Sequence, residues 1–226
     1  MPIGQTGFLG FPRETFSFLS DLSLNNRKTW FDTNKDRFRH VVEQPVQDFV
    51  AVMCARLIHT FKGIKHLEGK VFRIHRDIRF SKDKRPYKTH IGIRFSEDAS
   101  KNCAAPFFYV QLEAEKLLFA TGQKEFEGVA LDRYRTAVID SHSGPALSRL
   151  MQQLHNTGIA LKGEQLQNIP RGYPADHVRA DLLRFKGLYA ESSLPVTEQV
   201  YSPRIVQLCL DQFSRGKPLY EWLKSL

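Results

Sequence analysis

The segment between residues 70 and 90 concentrates the side chains of this chain that could bind an anion or transfer a proton. It contains eight lysines and arginines against two aspartates, a charge of +6 in a chain whose formal net charge is +9. Guanidinium groups bind carboxylate or phosphate through two parallel hydrogen bonds, and lysine adds a compact charge. We therefore expect a small anionic ligand here. The candidate ligand-binding residues are Arg73, Arg76, Arg79, Lys82, Lys84, Tyr87, Lys88, His90 and Arg94.

The same segment holds two candidate catalytic residues, His75 and Asp77. Histidine and aspartate are side chains that enzymes use as general acids and bases. Pairing with a neighbouring arginine is the better explanation for Asp77, and the sequence leaves open whether any reaction is catalysed. His75, Asp77 and His90 could together hold a metal ion, but the surrounding cations would repel it. We therefore expect neither a metal nor a cofactor.

Alternation of apolar and polar residues predicts that these side chains lie on β-strands. Patterns with a period of two occur in residues 71–80, 90–95, 107–113 and 116–121. Successive side chains of a strand point to opposite faces, so the charged residues of the first strand should share one face, with residues 81–89 as a closing loop. That face would be formed by Arg73, His75, Asp77 and Arg79, extended from neighbouring strands by His90, Arg94, Tyr109, Gln111 and Glu113.

A second candidate segment lies at residues 170–177, where the sequence Pro-Arg-Gly-Tyr is followed by Asp176 and His177. Asp176 is a suitable N-cap for a helix that runs to about residue 186, and the free N–H groups of a helix start can hold an anion. Arg171 and His177 are therefore further candidate ligand-binding residues. An ordinary capped helix explains the same pattern, and the sequence leaves open whether the two segments meet in one pocket.

Helical spacing flanks the predicted sheet on both sides. Apolar residues recur every three or four positions in residues 11–61, where Pro45 should kink or restart a helix. Trp30, Phe31 and Asn34 lie on one stripe of this region, which suits a core face better than a base-stacking surface. Helical patterns return from residue 126 onwards.

These patterns predict an α+β fold. The connections between the strands are too short for parallel crossovers, so the sheet should be an antiparallel meander of about four or more strands. We expect one domain spanning residues 1–226, with helices packed on one face of the sheet. Its helical part would be residues 11–61, its sheet residues 71–122, and its mostly helical remainder residues 126–226.

Composition narrows the class of protein. A content of 42% hydrophobic and 12% aromatic residues is typical of a globular chain. The three cysteines are far apart and form no C-x-x-C pair, which argues against a disulfide framework or a zinc site; Cys54 and Cys209 should be buried. We find no signal peptide and no membrane-spanning stretch. We therefore expect a cytoplasmic protein without a membrane partner.

Three motifs of the chain resemble those of a known family. The longest, RIHRDIRFSKDKRPYKTH, runs from Arg73 to His90. The others are LNNRKTWF with Asn34 and Lys35, and the C-terminal series PRGY, Asp176 with His177, and LLR. Together they are similar to the conserved hypothetical proteins catalogued as domain of unknown function 2461, over residues of about 8 to 215. The resemblance implies a shared fold and brings no established activity.

Two other uses of the basic segment 70–90 remain open from the sequence. Interleaved lysine, arginine and tyrosine in residues 82–88 would suit a nucleic-acid-binding module, although no recognised nucleic-acid motif is present. The same surface would also suit a non-catalytic domain that binds an acidic protein. The oligomeric state, the ligand and the biological process cannot be inferred from these residues.

Overall fold

A computed structural model of the chain describes residues 7–97 and 105–226. It confirms the expected α+β class. In chain order the regular elements are α1 (Arg13–Leu24), α2 (Lys28–Thr33), α3 (Lys35–Phe38), a π-helix (Arg39–Glu43), α4 (Gln44–Thr60), β1 (Glu68–Val71), β2 (His90–Ser96), β3 (Phe107–Glu113), β4 (Lys116–Gln123), α5 (Val129–Ile139), α6 (Ser143–Asn156), β5 (Ala160–Lys162), a 3-10 helix (Ala180–Arg184), β6 (Leu188–Pro195), a second 3-10 helix (Glu198–Tyr201) and α7 (Arg204–Lys224).

Within the described residues, six strands form one antiparallel sheet in the order β1-β2-β3-β4-β6-β5. The strands predicted at residues 90–95, 107–113 and 116–121 are confirmed as β2, β3 and β4. The strand predicted at 71–80 is wrong, because β1 ends at Val71. Strands β5 and β6 were not predicted. β5 has three residues, too few to show a period, and β6 carries alanine and serine, which have little strand preference.

The described residues form two compact units. Unit 1 comprises residues 7–95, 109–118 and 193–211, and unit 2 comprises residues 96–97, 105–108, 119–192 and 212–226. Each unit contains buried aromatic residues. The expectation of a single domain stays a prediction.

Unit 1 has a core of phenylalanines supplied by its N-terminal helices and by the residues just before α1. Phe11 and Phe49 lie with ring centroids 5.1 Å apart, and Phe18 and Phe38 lie 5.5 Å apart. Pro45 lies in the first turn of α4, and the helix changes there from the π to the α form without leaving the helical backbone conformation. The expected kink or restart at Pro45 therefore takes the form of a change of helix type. The preceding π-helix is tied to α1, since Thr15 Oγ1 donates to Val41 O at 2.5 Å.

Unit 2 has its own core, which is organised around Tyr134 of α5. The Tyr134 ring stacks on Phe126 with centroids 4.4 Å apart and meets Trp222 edge-on at 6.1 Å. Its hydroxyl donates to Leu182 O at 2.9 Å, so the one polar atom of this buried side chain is satisfied. Burial raises the pKa of Tyr134.

The cysteines of the described residues differ in how deeply they are buried. Cys209 is buried, as expected, whereas Cys54 is half-buried; both thiols are free, and Cys103 lies outside the described residues. Burial raises the pKa of Cys54 to about 11.

Among the helices of residues 7–97 and 105–226, none combines the length and the apolar composition needed to cross a membrane.

Candidate functional site

Residues 72–89, here called the basic loop, leave the sheet between β1 and β2 as an irregular ribbon. Lys88 N donates to Ile74 O at 2.8 Å, and one isolated bridge joins His75 to Tyr87. Phe72 N also donates to Gly92 O at 2.9 Å and Arg76 N to Pro86 O at 2.8 Å, but among the described residues these bonds build no regular strand between residues 72 and 89. The prediction of a single strand face is therefore wrong for Arg73, His75, Asp77 and Arg79.

Two aspartates explain why the tip of the basic loop does not form a strand. Asp77 Oδ1 accepts a hydrogen bond from Arg79 N at 3.2 Å, and Asp83 Oδ1 accepts one from Arg85 N at 3.0 Å. Aspartate side chains that bond nearby backbone N–H groups compete with a sheet ladder. The alternating charges of the sequence therefore mark local turns here.

The same carboxylates also hold arginine side chains. Arg79 binds Asp77 through Nε at 3.0 Å and Nη2 at 2.7 Å, while Arg85 and Arg76 each bind Asp83 at 2.7 Å. These bonds confirm the expected pairing of Asp77 with an arginine. The hydrogen bonds from Arg79 lower the pKa of Asp77, and those from Arg85 above all lower the pKa of Asp83.

This pairing changes how the candidate residues of the tip can act. The guanidinium groups of Arg76 and Arg79 already have carboxylate partners, so an incoming anion would compete with them. Asp77 stays ionised at neutral pH and is a weak proton acceptor, which disfavours its proposed role as a general base.

Two aromatic residues of the basic loop lie where the sequence did not place them. Phe80, on the apolar side of the predicted strand, is 94% exposed. Tyr87 is buried, and its ring stacks on Phe31 with centroids 4.2 Å apart. Asn26 binds both the backbone N and O of Tyr87 at 3.0 Å. Tyr87 therefore anchors the loop to the core instead of offering its ring at the surface.

The lysines of the basic loop are held in different ways. Lys82 is exposed at the tip. Lys84 Nζ donates to Ile78 O at 3.1 Å, which closes the turn. Lys88 Nζ lies 5.6 Å from the centroid of the Phe72 ring, a cation–π distance. Of the three, Lys82 and Lys84 are the exposed ones.

A pocket of about 400 Å³ lies beside the first residues of the basic loop, wholly within unit 1. This volume falls in the range of small-molecule sites. Two of the predicted residues, Arg73 and His75, line it. The apolar part of its lining is Phe31, Phe38, Val42, Val46, Val71, Phe72, Ile74 and Ile91.

Charged residues that the sequence reasoning missed line the same pocket. They are Lys35, Arg39 and Glu43, from α3 and the π-helix. Arg39 also pairs with the exposed Asp36 at 3.1 Å. A π-helix contains one extra residue per turn and often occurs at functional sites, but it has no distinct sequence pattern. The available signal was the run of charges interleaved with Phe38 and Val42.

A second polar cluster, here called the sheet cluster, lies on β2 and β3 of unit 1. Tyr109 Oη donates to Gln111 Oε1, and Gln111 Nε2 donates to Glu113 Oε1, each at 2.7 Å. Gly92 leaves room for the phenol, because a Cβ at residue 92 would lie 2.3 Å from Tyr109 Oη. His90, the fourth polar side chain of the sheet cluster, is close enough to Glu113 for the two charges to interact.

Burial sets the protonation of the sheet cluster. It raises the pKa of Tyr109 to about 12, with the Glu113 charge acting in the same direction, so this phenol is a hydrogen-bond donor at neutral pH. Burial and the nearby Lys88 lower the pKa of His90, while Glu113 opposes them. His90 is therefore mostly neutral at pH 7 and can accept a hydrogen bond or a proton.

A family model described as conserved hypothetical protein, domain of unknown function 2461, matches residues 14–222 of the 226-residue chain. The chain belongs to the domain of unknown function 2461 family. In this family member, the basic loop, the pocket lining and the sheet cluster all lie within the matched residues. The comparison with curated proteins finds no match.

Three further candidate residues of this family member, Arg94, Arg171 and His177, are not among the residues that line the pocket. Arg94 on β2 is only 4% exposed, so it is not part of an open surface. Arg171 is exposed in unit 2, and His177 Nδ1 accepts a hydrogen bond from Arg179 N at 3.1 Å. The convergence of Arg171 and His177 with the basic loop in one cavity stays a prediction.

The helix predicted from Asp176 to about residue 186 is wrong. The chain turns at residues 174–177, where His177 N donates to Pro174 O at 3.3 Å. Only the 3-10 helix Ala180–Arg184 follows. Asp176 therefore caps no helix, and the anion site expected at that helix start is not formed.

Metal ligation has no candidate cluster in the part of the chain that the structure describes. Residues 7–97 and 105–226 contain no group of three or more His, Cys, Asp or Glu side chains placed to share a cation. His75 and His90, the two histidines considered for such a site, belong to the pocket lining and the sheet cluster respectively.

Proposed function

We propose that this protein binds a small organic anion in the pocket of unit 1, with its phosphate or carboxylate group near Arg73. The observation that carries the proposal is the composition of the lining: Arg73, His75, Lys35 and Arg39 occur together on a pocket whose remaining wall is largely apolar. Cations supply charge-assisted hydrogen bonds, and the apolar wall favours a ligand that has a hydrophobic body.

Charge balance in the pocket supports an anion over a cation. Two lysine or arginine side chains besides Arg73 line it, against the single carboxylate Glu43. Among the described residues, no carboxylate forms an ion pair with Arg73. The Arg73 guanidinium can therefore bind an incoming anion without first breaking an ion pair. The guanidinium groups of Arg76 and Arg79, by contrast, already bind Asp83 and Asp77.

The size of the pocket supports a ligand larger than an inorganic ion. A cavity of about 400 Å³ is several times the volume of a phosphate group, so a tightly bound ligand should fill the rest with apolar atoms. His75 is the one candidate catalytic residue that lines the pocket, and any proton transfer would involve its imidazole.

We propose a cytoplasmic setting for this binding. Its support is the state of the thiols: Cys54 and Cys209 are both free. Free thiols are typical of proteins that work in a reducing compartment.

Three probes separate charge from apolar contact in a calorimetric titration: phenyl phosphate, inorganic phosphate and phenol. Phenyl phosphate should bind most tightly, since it alone carries both groups. Arg73→Ala should weaken its binding about 10- to 100-fold, the loss typical of a hydrogen bond to a charged group. Lys35→Ala should weaken it by a smaller factor, because lysine binds as a point charge.

Arg56→Ala provides the matched control. Arg56 is an exposed arginine of α4 in the same unit and does not line the pocket. Its loss should leave the affinity for phenyl phosphate unchanged. Equal affinities in the wild-type, Arg73→Ala and Arg56→Ala proteins would refute a site at Arg73, and so would the absence of phenyl phosphate binding to the wild type.

A further inference from the structure

The tip of the basic loop presents an aromatic ring to solvent. Phe80 is 94% exposed, the highest value among the exposed large hydrophobic residues of the described chain, and the others are aliphatic. A single exposed apolar side chain is ordinary on a protein surface. What distinguishes Phe80 is its surroundings, because Arg79, Lys82 and Lys84 are exposed beside it in sequence.

The charges around Phe80 favour a polyanionic partner. The guanidinium carbon of Arg79 lies 5.8 Å from the centroid of the Phe80 ring. In residues 77–85 four cations face two carboxylates, which leaves a net charge of +2. Lys82 is exposed, and Lys84 uses one of its three donors on Ile78 O. The Phe80 ring and the ammonium groups of Lys82 and Lys84 are therefore all accessible to a partner.

The tip is held in shape before any partner binds. The Arg79–Asp77 and Arg85–Asp83 pairs are bidentate, and Arg76 also donates to Arg85 O at 3.1 Å. At the base of the loop, Tyr87 is clamped by Asn26. A pre-organised loop loses less conformational entropy when it binds. Phe80 is therefore displayed by a structured turn.

We propose that the basic-loop tip binds single-stranded nucleic acid, with an unpaired base stacked on the free face of Phe80 and phosphates near Lys82 and Lys84. Aromatic rings flanked by cations bind single strands in this way, with little sequence preference. Bases in a duplex are already stacked, so the tip should prefer a single strand to the same sequence in a duplex.

The same contacts argue against insertion into a lipid bilayer. Carrying Phe80 into the acyl layer would also move the neighbouring Arg79–Asp77 pair out of water, and desolvation of an ion pair is costly. Phe80 is also the one large hydrophobic residue in 77–85 that is fully exposed. A stacked base leaves the ion pair in water.

The test measures fluorescence anisotropy of a labelled deoxythymidine oligomer of about 15 nucleotides, long enough for one binding site. We expect salt-sensitive binding that Phe80→Ala weakens roughly five- to a hundredfold. Val178→Ala, which removes another highly exposed apolar side chain, in unit 2, should have no effect. Phe80→Ala should still bind phenyl phosphate as the wild type does, so this inference and the pocket can fail separately.

A tryptophan at the tip identifies the partner directly. In Phe80→Trp, stacking of the oligomer should quench the new fluorescence without a blue shift, in excess of any change in the wild type, which already contains Trp30 and Trp222. A blue shift with phosphatidylserine vesicles and no quenching by the oligomer would overturn the proposal in favour of a membrane contact. Equal oligomer binding by the wild-type and Phe80→Ala proteins, or none by either, would also overturn it.

Discussion

At the scale of single residues, close packing explains positions that charge patterns do not. Gly92 is buried on β2 directly beneath the Tyr109 hydroxyl. The sheet cluster therefore depends on a missing side chain as much as on the polar groups it contains. Burial and the nearby Lys88 lower the pKa of His90, so its imidazole is mostly neutral at pH 7.

Gly92→Ala should destabilise the protein by about 1–3 kcal/mol, the usual cost of overpacking a filled site. Its Cβ would meet Tyr109 Oη at 2.3 Å and the ring at 3.0 Å. Urea denaturation measures the effect. Adding Tyr109→Phe should recover part of the loss, while Gly7→Ala, where no atom lies within 4 Å, should be neutral. A fully stable Gly92→Ala variant would contradict the close contact.

His90 should make the protein less stable as the pH falls through 6.5. Its pKa is lower in the folded state, so the unfolded chain binds the proton more readily and acid favours unfolding. His90→Asn should reduce the difference between the urea midpoints at about pH 7.5 and about pH 5.5. His59→Asn, the same substitution at an exposed position of α4, provides the control.

At the scale of elements, the basic loop is a turn system built on its own side chains. Asp77 and Asp83 each accept from a backbone N–H and from a guanidinium group. The loop is attached to the core by Tyr87, which stacks on Phe31 of α2. Because the hydrogen bonds are made within the loop, the charges of the tip can face solvent without a strand partner.

Asp83 should titrate well below the ordinary aspartate value of 3.8. Its pKa is lowered mainly by Arg85, so the ion-paired tip is present above pH 3.8 and is lost as the pH falls through the lower folded value. Carbon-13 NMR of the side-chain carboxyl group measures the midpoint. Arg85→Ala should raise it towards 3.8, whereas Lys82→Ala, which removes an unbonded neighbouring charge, should change it little.

At the scale of the whole molecule, each unit has its own core of aromatic residues. Each core also contains a buried ionisable side chain. Cys209 of unit 1 is fully buried, and burial raises the pKa of its thiol. In unit 2 the corresponding fully buried ionisable group is the phenol of Tyr134. Buried ionisable groups of this kind report on unfolding, because they react only when the fold opens.

Cys209 should resist iodoacetamide at about pH 8 until the protein unfolds, because a buried, protonated thiol is not nucleophilic. Cys54, with a pKa raised to about 11, should also react slowly. Mass spectrometry of the separate peptides, over a series of urea concentrations, measures the extent of alkylation. The Cys209 curve should coincide with unfolding followed by circular dichroism. Rapid native modification of Cys209 would contradict its burial.

Local pattern was sufficient for much of this fold. Strand β3 alternates between buried and half-buried residues because one face packs on a core. Strands β2 and β4 show the same period in sequence, although most of their residues are buried on both faces. The change of helix type beside Pro45 agrees with its missing N–H. The pairing of Asp77 with an arginine was likewise predictable, since only neighbours in sequence are needed. The family was recognisable because its motifs are contiguous.

Only the tertiary structure decided the rest. The alternation in residues 71–80 looks like a strand, but a strand needs a partner along its length, and the hydrogen bonds of Asp77 and Asp83 replace that ladder with turns. Phe80 is exposed and Tyr87 is buried, the reverse of what the sequence pattern predicts. Those turns carry Phe80 into solvent, and stacking on Phe31 holds Tyr87 in the core. The pocket joins residues about forty positions apart, and such a juxtaposition depends on packing that no local spacing encodes.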